Sequence, residues 1–219
     1  MARAQRTPKR PYAPRLPPAE RHEQLLDAAL EIINTDGVSA VSVDAVARLA
    51  GVTRPVVYGL FTDSDHILCD LLEREGARAL AQLVAVIPTE LTDADTADPT
   101  DAFTGVARGF FDAVLANPAR WRAILLPVDT SPAPVRRYKE SVDATVRARF
   151  AEITRRFLRD RPGTETVDVE LLAHLLLTTL EDGGRLLLHD PVTYPPERLT
   201  DLARFLIETF VRRYPRATA

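Results

Sequence analysis

Residues 42–61, SVDAVARLAGVTRPVVYGLF, constrain this chain more than any other stretch. Ala47 and Gly51 stand four apart, with Val46, Val52, Val57 and Leu60 as apolar positions around them. Two helices that cross steeply need a small residue at their contact, which Ala47 provides. The turn between them needs a left-handed backbone, which glycine adopts at no steric cost. Thr53 stands where it caps a second short helix, RPVVYGL, by accepting from an otherwise orphan backbone N–H. The spacing predicts a helix-turn-helix whose second helix points its N-terminal end outward, toward the major groove of DNA. An ordinary helix hairpin in an all-helical core is the competing reading of the same residues, because function is argued from a site and not from a fold.

The flanks extend the pattern. RHEQLLDAALEIINTDG is amphipathic, with Leu25, Leu26, Ala29, Ile32 and Ile33 on one side and Gly37 as a stop signal. Downstream of Phe61, TDSDHILCDLLE opens another helix, with Asp63 or Ser64 as its N-cap. From Leu25 to Leu68 the order is a long first helix, a glycine near its end, AGVT, then Tyr58 and Phe61. In that order the segment resembles the TetR family of transcriptional regulators. The resemblance implies an all-α fold: an N-terminal three-helix DNA-binding domain followed by a larger helical ligand-binding and dimerisation domain. Two departures stand out. The family usually carries a lysine at the start of the fourth helix, where this chain has Ser64. Gly59 and Leu60 replace residues that are often bulkier aromatics or histidine.

Hydrophobic residues make up 46% of the 219 and charged ones 27%, the balance of a globular chain. Cys69 is the single cysteine, which excludes an intramolecular disulfide and a CxxC zinc site. The opening MARAQRTPKRPYAPRLPP has no apolar core of a secretory signal, and no run is long enough to span a bilayer. These features point to the cytoplasm. Net charge is −3, yet residues 1–21 carry six basic side chains against Glu20, leaving −8 for the remainder. A basic arm over residues 1–16 either contacts DNA phosphate by counterion release or is a solvated tail; its prolines exclude a helix, not contact.

Nine helices are expected, at about 17–36, 43–50, 54–60, 64–87, 102–116, 119–126, 133–161, 167–189 and 196–214. Residues 17–63 form the DNA-binding unit and 64–219 the ligand-binding and dimerisation unit. On the first unit, Ser42 caps the second helix or donates to phosphate. Thr53 and Arg54 lie at the start of the recognition helix, and Arg54 reaches guanine or phosphate. Pro55 packs on a thymine methyl, Arg48 lies within reach of the backbone, and Tyr58 matches the family's phosphate-contacting tyrosine.

In the second unit the resemblance implies a pocket among helices four to eight. Its candidate lining is Phe103, Phe110, Phe111, Trp121, Leu125, Tyr138, Phe150, Leu172, Leu175 and Leu176. The same side chains also suit an ordinary core. His174, Thr178, Glu181 and Arg185 recur at helical spacing on the eighth helix. They orient a ligand's polar group, form a seam between subunits, or face solvent. The ninth helix is apolar on several sides, and the eighth carries Gly183-Gly184 in its interior. That pair costs about 2 kcal/mol against alanine, which is easier to explain where another backbone approaches closely. Gly183, Gly184, Leu202, Phe205, Leu206 and Phe210 are therefore the candidate interface of a homodimer, the arrangement the resemblance implies; closure of the monomer's own core is the alternative.

The expected partners are a palindromic double-stranded operator, a hydrophobic small-molecule effector and a second copy of the chain, with no membrane, cofactor or metal. A repressor released by its effector is the leading reading. Control by a protein partner, or by no effector, remains open. An enzyme built on His174, Glu181, Asp182 and His189 is the rival class. Their spacing matches no HExxH pair, and the chain has no nucleophile elbow.

Overall fold

The computed structural model describes residues 16–84, 99–125, 132–159 and 161–215. Among these residues there are nine α-helices and no strand. They are α1 (Pro18–Asp36), α2 (Val43–Leu49), α3 (Arg54–Tyr58), α4 (Ser64–Val84), α5 (Pro99–Ala116), α6 (Pro118–Ile124), α7 (Ala133–Leu158), α8 (Val169–His189) and α9 (Pro196–Arg213). Prolines at the first or second position start α1, α3, α6, α7 and α9, where a missing N–H leaves no bond unmade. Asp63, rather than Ser64, caps α4: its Oδ1 accepts from the His66 N–H at 2.8 Å. Asp168 caps α8 in the same way, accepting from Leu171 N–H at 3.0 Å. The basic arm, the expected stop at Pro88 and most of the polar loop before α5 lie outside the described residues. Among the described residues, no helix is long and apolar enough to cross a membrane.

Two apolar cores organise these helices. The first joins α1, α2 and α3 to the first half of α4, through Leu25, Leu26, Val46, Val57, Phe61, Ile67 and Leu71. Ala123 of α6 and Val135 of α7 also belong to it. The second collects Ala79 of α4, Ala107, Phe110, Phe111 and Val114 of α5, Trp121 and Leu125 from α6 and its end, and Leu187 of α8. Helix α4 thus contributes to both cores along its length.

At the junction lies Glu75, only 1% exposed. Its Oε1 accepts from Arg74 Nε at 2.9 Å and Arg78 Nη1 at 3.1 Å. Its Oε2 accepts from Arg120 Nε of α6 at 2.9 Å. Arg74 Nη1 continues to Glu23 and Asp27 of α1, at 3.0 and 2.8 Å. Arg120 Nη1 reaches Gln82, whose amide donates to the Ala113 carbonyl of α5. Three guanidiniums and three carboxylates therefore tie α1, α4 and α6 together. Burying such charges is tolerated when they are paired in this way; Arg74 Nη2 is the network atom buried with no hydrogen-bond partner among the described residues.

The glycine pair of α8 has a different role from the one expected. Gly183 and Gly184 are buried within the monomer. A Cβ on Gly183 would stand 3.0 Å from the Phe111 ring, and one on Gly184 would stand 2.9 Å from Leu125 Cδ1 and 3.1 Å from the Phe110 ring. Their close neighbours are side chains of this same chain, so the pair lets α8 settle on α5. Phe210 also turns inward, its ring 6.0 Å from Phe157 and 5.0 Å from Tyr214. Leu202, Phe205 and Leu206 remain exposed on α9, and Leu171, Leu175 and Leu176 on α8.

Glu75→Ala should destabilise the fold by about 3–5 kcal/mol, because it strands buried guanidiniums without their anion. Arg78→Ala, at a half-exposed position, should cost less than about 1 kcal/mol. Urea unfolding followed by circular dichroism checks both.

Candidate nucleic-acid interface

The helix pair α2–α3 is built by local chemistry. Ser42 Oγ accepts from the Ala45 N–H at 3.1 Å, so the expected cap of α2 forms. Gly51 takes φ +69°, the left-handed region the turn requires. The chain folds back there, and Val52 N–H donates to the Ala47 carbonyl at 2.9 Å. From α1, Gln24 Nε2 donates to the Ala50 carbonyl at 3.2 Å, satisfying the end of α2. Thr53 occupies the N-cap position of α3 with extended backbone, but its side chain makes no capping hydrogen bond. The expected cap is present in position only.

Five residues are too few to form a stable isolated helix, so α3 depends on its anchors. Val57 is fully buried, and Phe61 just beyond the helix is 1% exposed. The His22 ring stacks on Phe61 at 4.8 Å and the His66 ring meets it edge-on at 5.5 Å. Asp70 holds both histidines, at 3.0 Å from His22 Nε2 and 3.4 Å from His66 Nε2. Helices α1 and α4 thereby fix the exit of the recognition helix.

With those faces buried, Ser42, Arg48, Thr53, Arg54, Pro55 and Tyr58 are all exposed on α2, on α3 or at their starts. Arg54 and Tyr58 are neighbours one turn apart. The guanidinium lies 5.9 Å from the Tyr58 ring centroid, and its Nη2 is 3.5 Å from the hydroxyl. Asp44, in the first turn of α2, holds Arg54 Nε at 2.9 Å. Acceptance by the Tyr58 hydroxyl, then the charge of Asp44, pushes the Arg54 guanidinium above its already high ordinary value. Asp44 was absent from the sequence-based candidates. It is ten residues from Arg54, and no helical period relates the two; only the crossing of α2 and α3 brings them together.

The candidate ligand residues separate into three groups. Phe110, Phe111, Trp121 and Leu125 are buried together in the second core, with Phe110 5.0 Å from Trp121 in an edge contact. Tyr138 instead packs against the first core, and half-buried Phe103 meets Phe157 at 6.1 Å. Phe150 and Leu172 are half-buried, while Leu175, Leu176 and Thr178 face outward. These last three do not line an interior site, because the buried side of α8 is formed by Ala173, Leu177, Gly184 and Leu187. The polar series on α8 divides likewise. Arg185 Nη2 donates to Glu181 at 3.2 Å and its Nε to the Leu125 carbonyl at 3.1 Å. His174 and Thr178 are exposed. Among the described residues, no group of three or more His, Cys, Asp or Glu is placed to hold a metal ion.

Ser42→Ala should destabilise the N-terminal helices by about 1 kcal/mol through loss of the cap. Thr53→Ala should change stability by only a few tenths, since its side chain makes no capping bond. Parallel thermal unfolding curves separate the two.

Residues 25–68 match the family model described as bacterial regulatory proteins, tetR family. The nicotine-responsive transcriptional repressor HdnoR of Paenarthrobacter nicotinovorans is 35% identical over 74 residues, 34% of this chain and 36% of that protein. The transcriptional activator FasR of Mycolicibacterium smegmatis is 28% identical over 142 residues, 64% of this chain and 62% of that protein. The match thus spans about a third of the first relative and less than two thirds of the second. In solved structures, a TetR-like transcriptional regulator from Rhodococcus sp. RHA1 superposes with a TM-score of 0.67 at 23% identity. That superposition covers 90% of this chain and 99% of the other, so the likeness of fold extends through the C-terminal helices.

Proposed function

We propose that this chain, whose residues 25–68 match the tetR family of bacterial regulatory proteins, is a DNA-binding transcriptional repressor, released from a palindromic operator by a small hydrophobic effector. The members of that family are regulators and not enzymes. The observation that carries the reading is the exposed Arg54–Tyr58 pair on a recognition helix whose opposite face is locked by Val57 and Phe61. Such a helix presents a planar guanidinium and a phenol toward a groove while its own position is set by the core.

The functional units in this reading are 17–63 for DNA and 64–219 for effector and dimer, with α4 shared between them. Leu171, Leu175 and Leu176 of α8, with Leu202, Phe205 and Leu206 of α9, are large apolar side chains left in water by a single copy. A second copy that covers them forms a two-fold symmetric dimer. Two recognition helices one turn of DNA apart then require a near-palindromic site. The effector enters the second core, around Phe110, Trp121 and Leu125. There the buried Trp121 N–H, without an acceptor among the described residues, offers a hydrogen bond to a polar group. The effector displaces the operator only by binding better to the conformation in which the recognition helices are wrongly spaced. The charged junction at Glu75 transmits that change, since it joins α6 and α4 to α1. DNA as partner places the protein in the cytoplasm.

The decisive experiment is selection of bound duplexes from a random DNA library. A palindrome is the expected product; binding without any motif, vanishing at moderate salt, would overturn the reading. Arg54→Ala and Tyr58→Phe should then each weaken binding to the selected site, Arg54→Ala by about tenfold or more. Both should leave the mass in light scattering that of a dimer. Leu202→Glu with Phe205→Glu should yield a monomer that no longer binds the palindrome.

A further inference from the structure

Arg54 has two ways to use its guanidinium on DNA: against a phosphate, or against the edge of a guanine. Its surroundings distinguish them. The side chain is held from the neighbouring helix by Asp44, whose Oδ1 lies 2.9 Å from Arg54 Nε. Both side chains are more than half exposed, at 54% and 59%. An ion pair that wet contributes little to folding. What it does is orient: an otherwise flexible side chain is held at Nε from α2 and at Nη2 by the Tyr58 hydroxyl on α3. With Asp44 against Nε and the Tyr58 hydroxyl accepting one N–H of Nη2, Nη1 and the second N–H of Nη2 are left to act as a fork. That fork matches guanine O6 and N7 in the major groove. A carboxylate this close also repels the phosphate backbone, which disfavours the other use of Arg54.

We propose that Asp44 is a positioning residue that makes Arg54 a guanine reader, so that each operator half-site carries a guanine where Arg54 enters the groove. The proposal rests on the DNA-binding reading above and adds a base identity and a second residue to it. Asp44 exchanges some general affinity for DNA for discrimination between sequences, because its charge opposes every phosphate but its ion pair aligns only one contact.

The test uses full-length protein and duplexes built on the selected palindrome, with all four base pairs at the position whose preference Arg54→Ala abolishes. Fluorescence anisotropy should show the wild type preferring guanine there by about 10- to 100-fold. Asp44→Ala should reduce that preference to within about threefold. It should leave the melting temperature of the free protein unchanged and affinity for random duplex unchanged or higher. Asp44→Glu, which keeps the charge on a longer side chain and so moves it, should lose most of the preference. The proposal is overturned if Asp44→Ala keeps the full preference or weakens all duplexes equally. It is also overturned if Asp44→Glu keeps the full preference, which would make the effect one of charge and not position. Failure of the wild type to select any motif would sink the regulator reading itself. A motif lacking guanine at the Arg54 position would sink this inference alone.

Discussion

A carboxylate buried among helices must be neutralised where it stands, and Glu75 is neutralised by three guanidiniums from two helices. This requirement governs how the two halves of the chain meet. An apolar contact between α1, α4 and α6 would tolerate small slides, because dispersion and burial are not directional. Hydrogen bonds at 2.8–3.1 Å from Arg74, Arg78 and Arg120 do not. The same arginine that binds Glu75 binds Asp27 of α1, so α6 and α1 are joined through one carboxylate on α4. Such a network does little for stability compared with an apolar core of equal volume, but it leaves few arrangements to choose from.

The recognition helix depends on the same scaffold at one remove. Its five residues have no stability of their own. Val57 and Phe61 hold it to the first core, and His22 and His66, both tied to Asp70, enclose the Phe61 ring. The exposed side is then free to be polar. Arg54, Tyr58 and Asp44 occupy it without any packing duty, which is why their arrangement reads as recognition.

The helices themselves were legible along the chain, because apolar spacing and start signals are local. Ser42, Gly37 and Gly51 act where the sequence places them. The misplacements have a common cause. Gly183-Gly184 marks a close approach, but a sequence does not say which neighbour approaches. Phe110, Phe111 and Leu125 do so from within the chain. Leu175 and Leu176 are apolar like Leu177, and only the packing of α8 on α5 and α7 decides that Leu177 goes in and the other two out. Thr53 has the right type for a cap, but its rotamer is not a property of spacing.

Residues 25–68, taken alone, carried the helix-turn-helix and the resemblance to the tetR family, because the small residue, the left-handed turn and the apolar pins act within a few residues of each other. The all-helical character of the rest followed equally from local periodicity. The pairing of Asp44 with Arg54, the closure of Glu75 by Arg120 and the inward turn of the α8 glycines were settled by tertiary structure alone. Each joins residues on different helices, and the free energy of a contact between helices depends on crossing angle and distance, which no local pattern encodes.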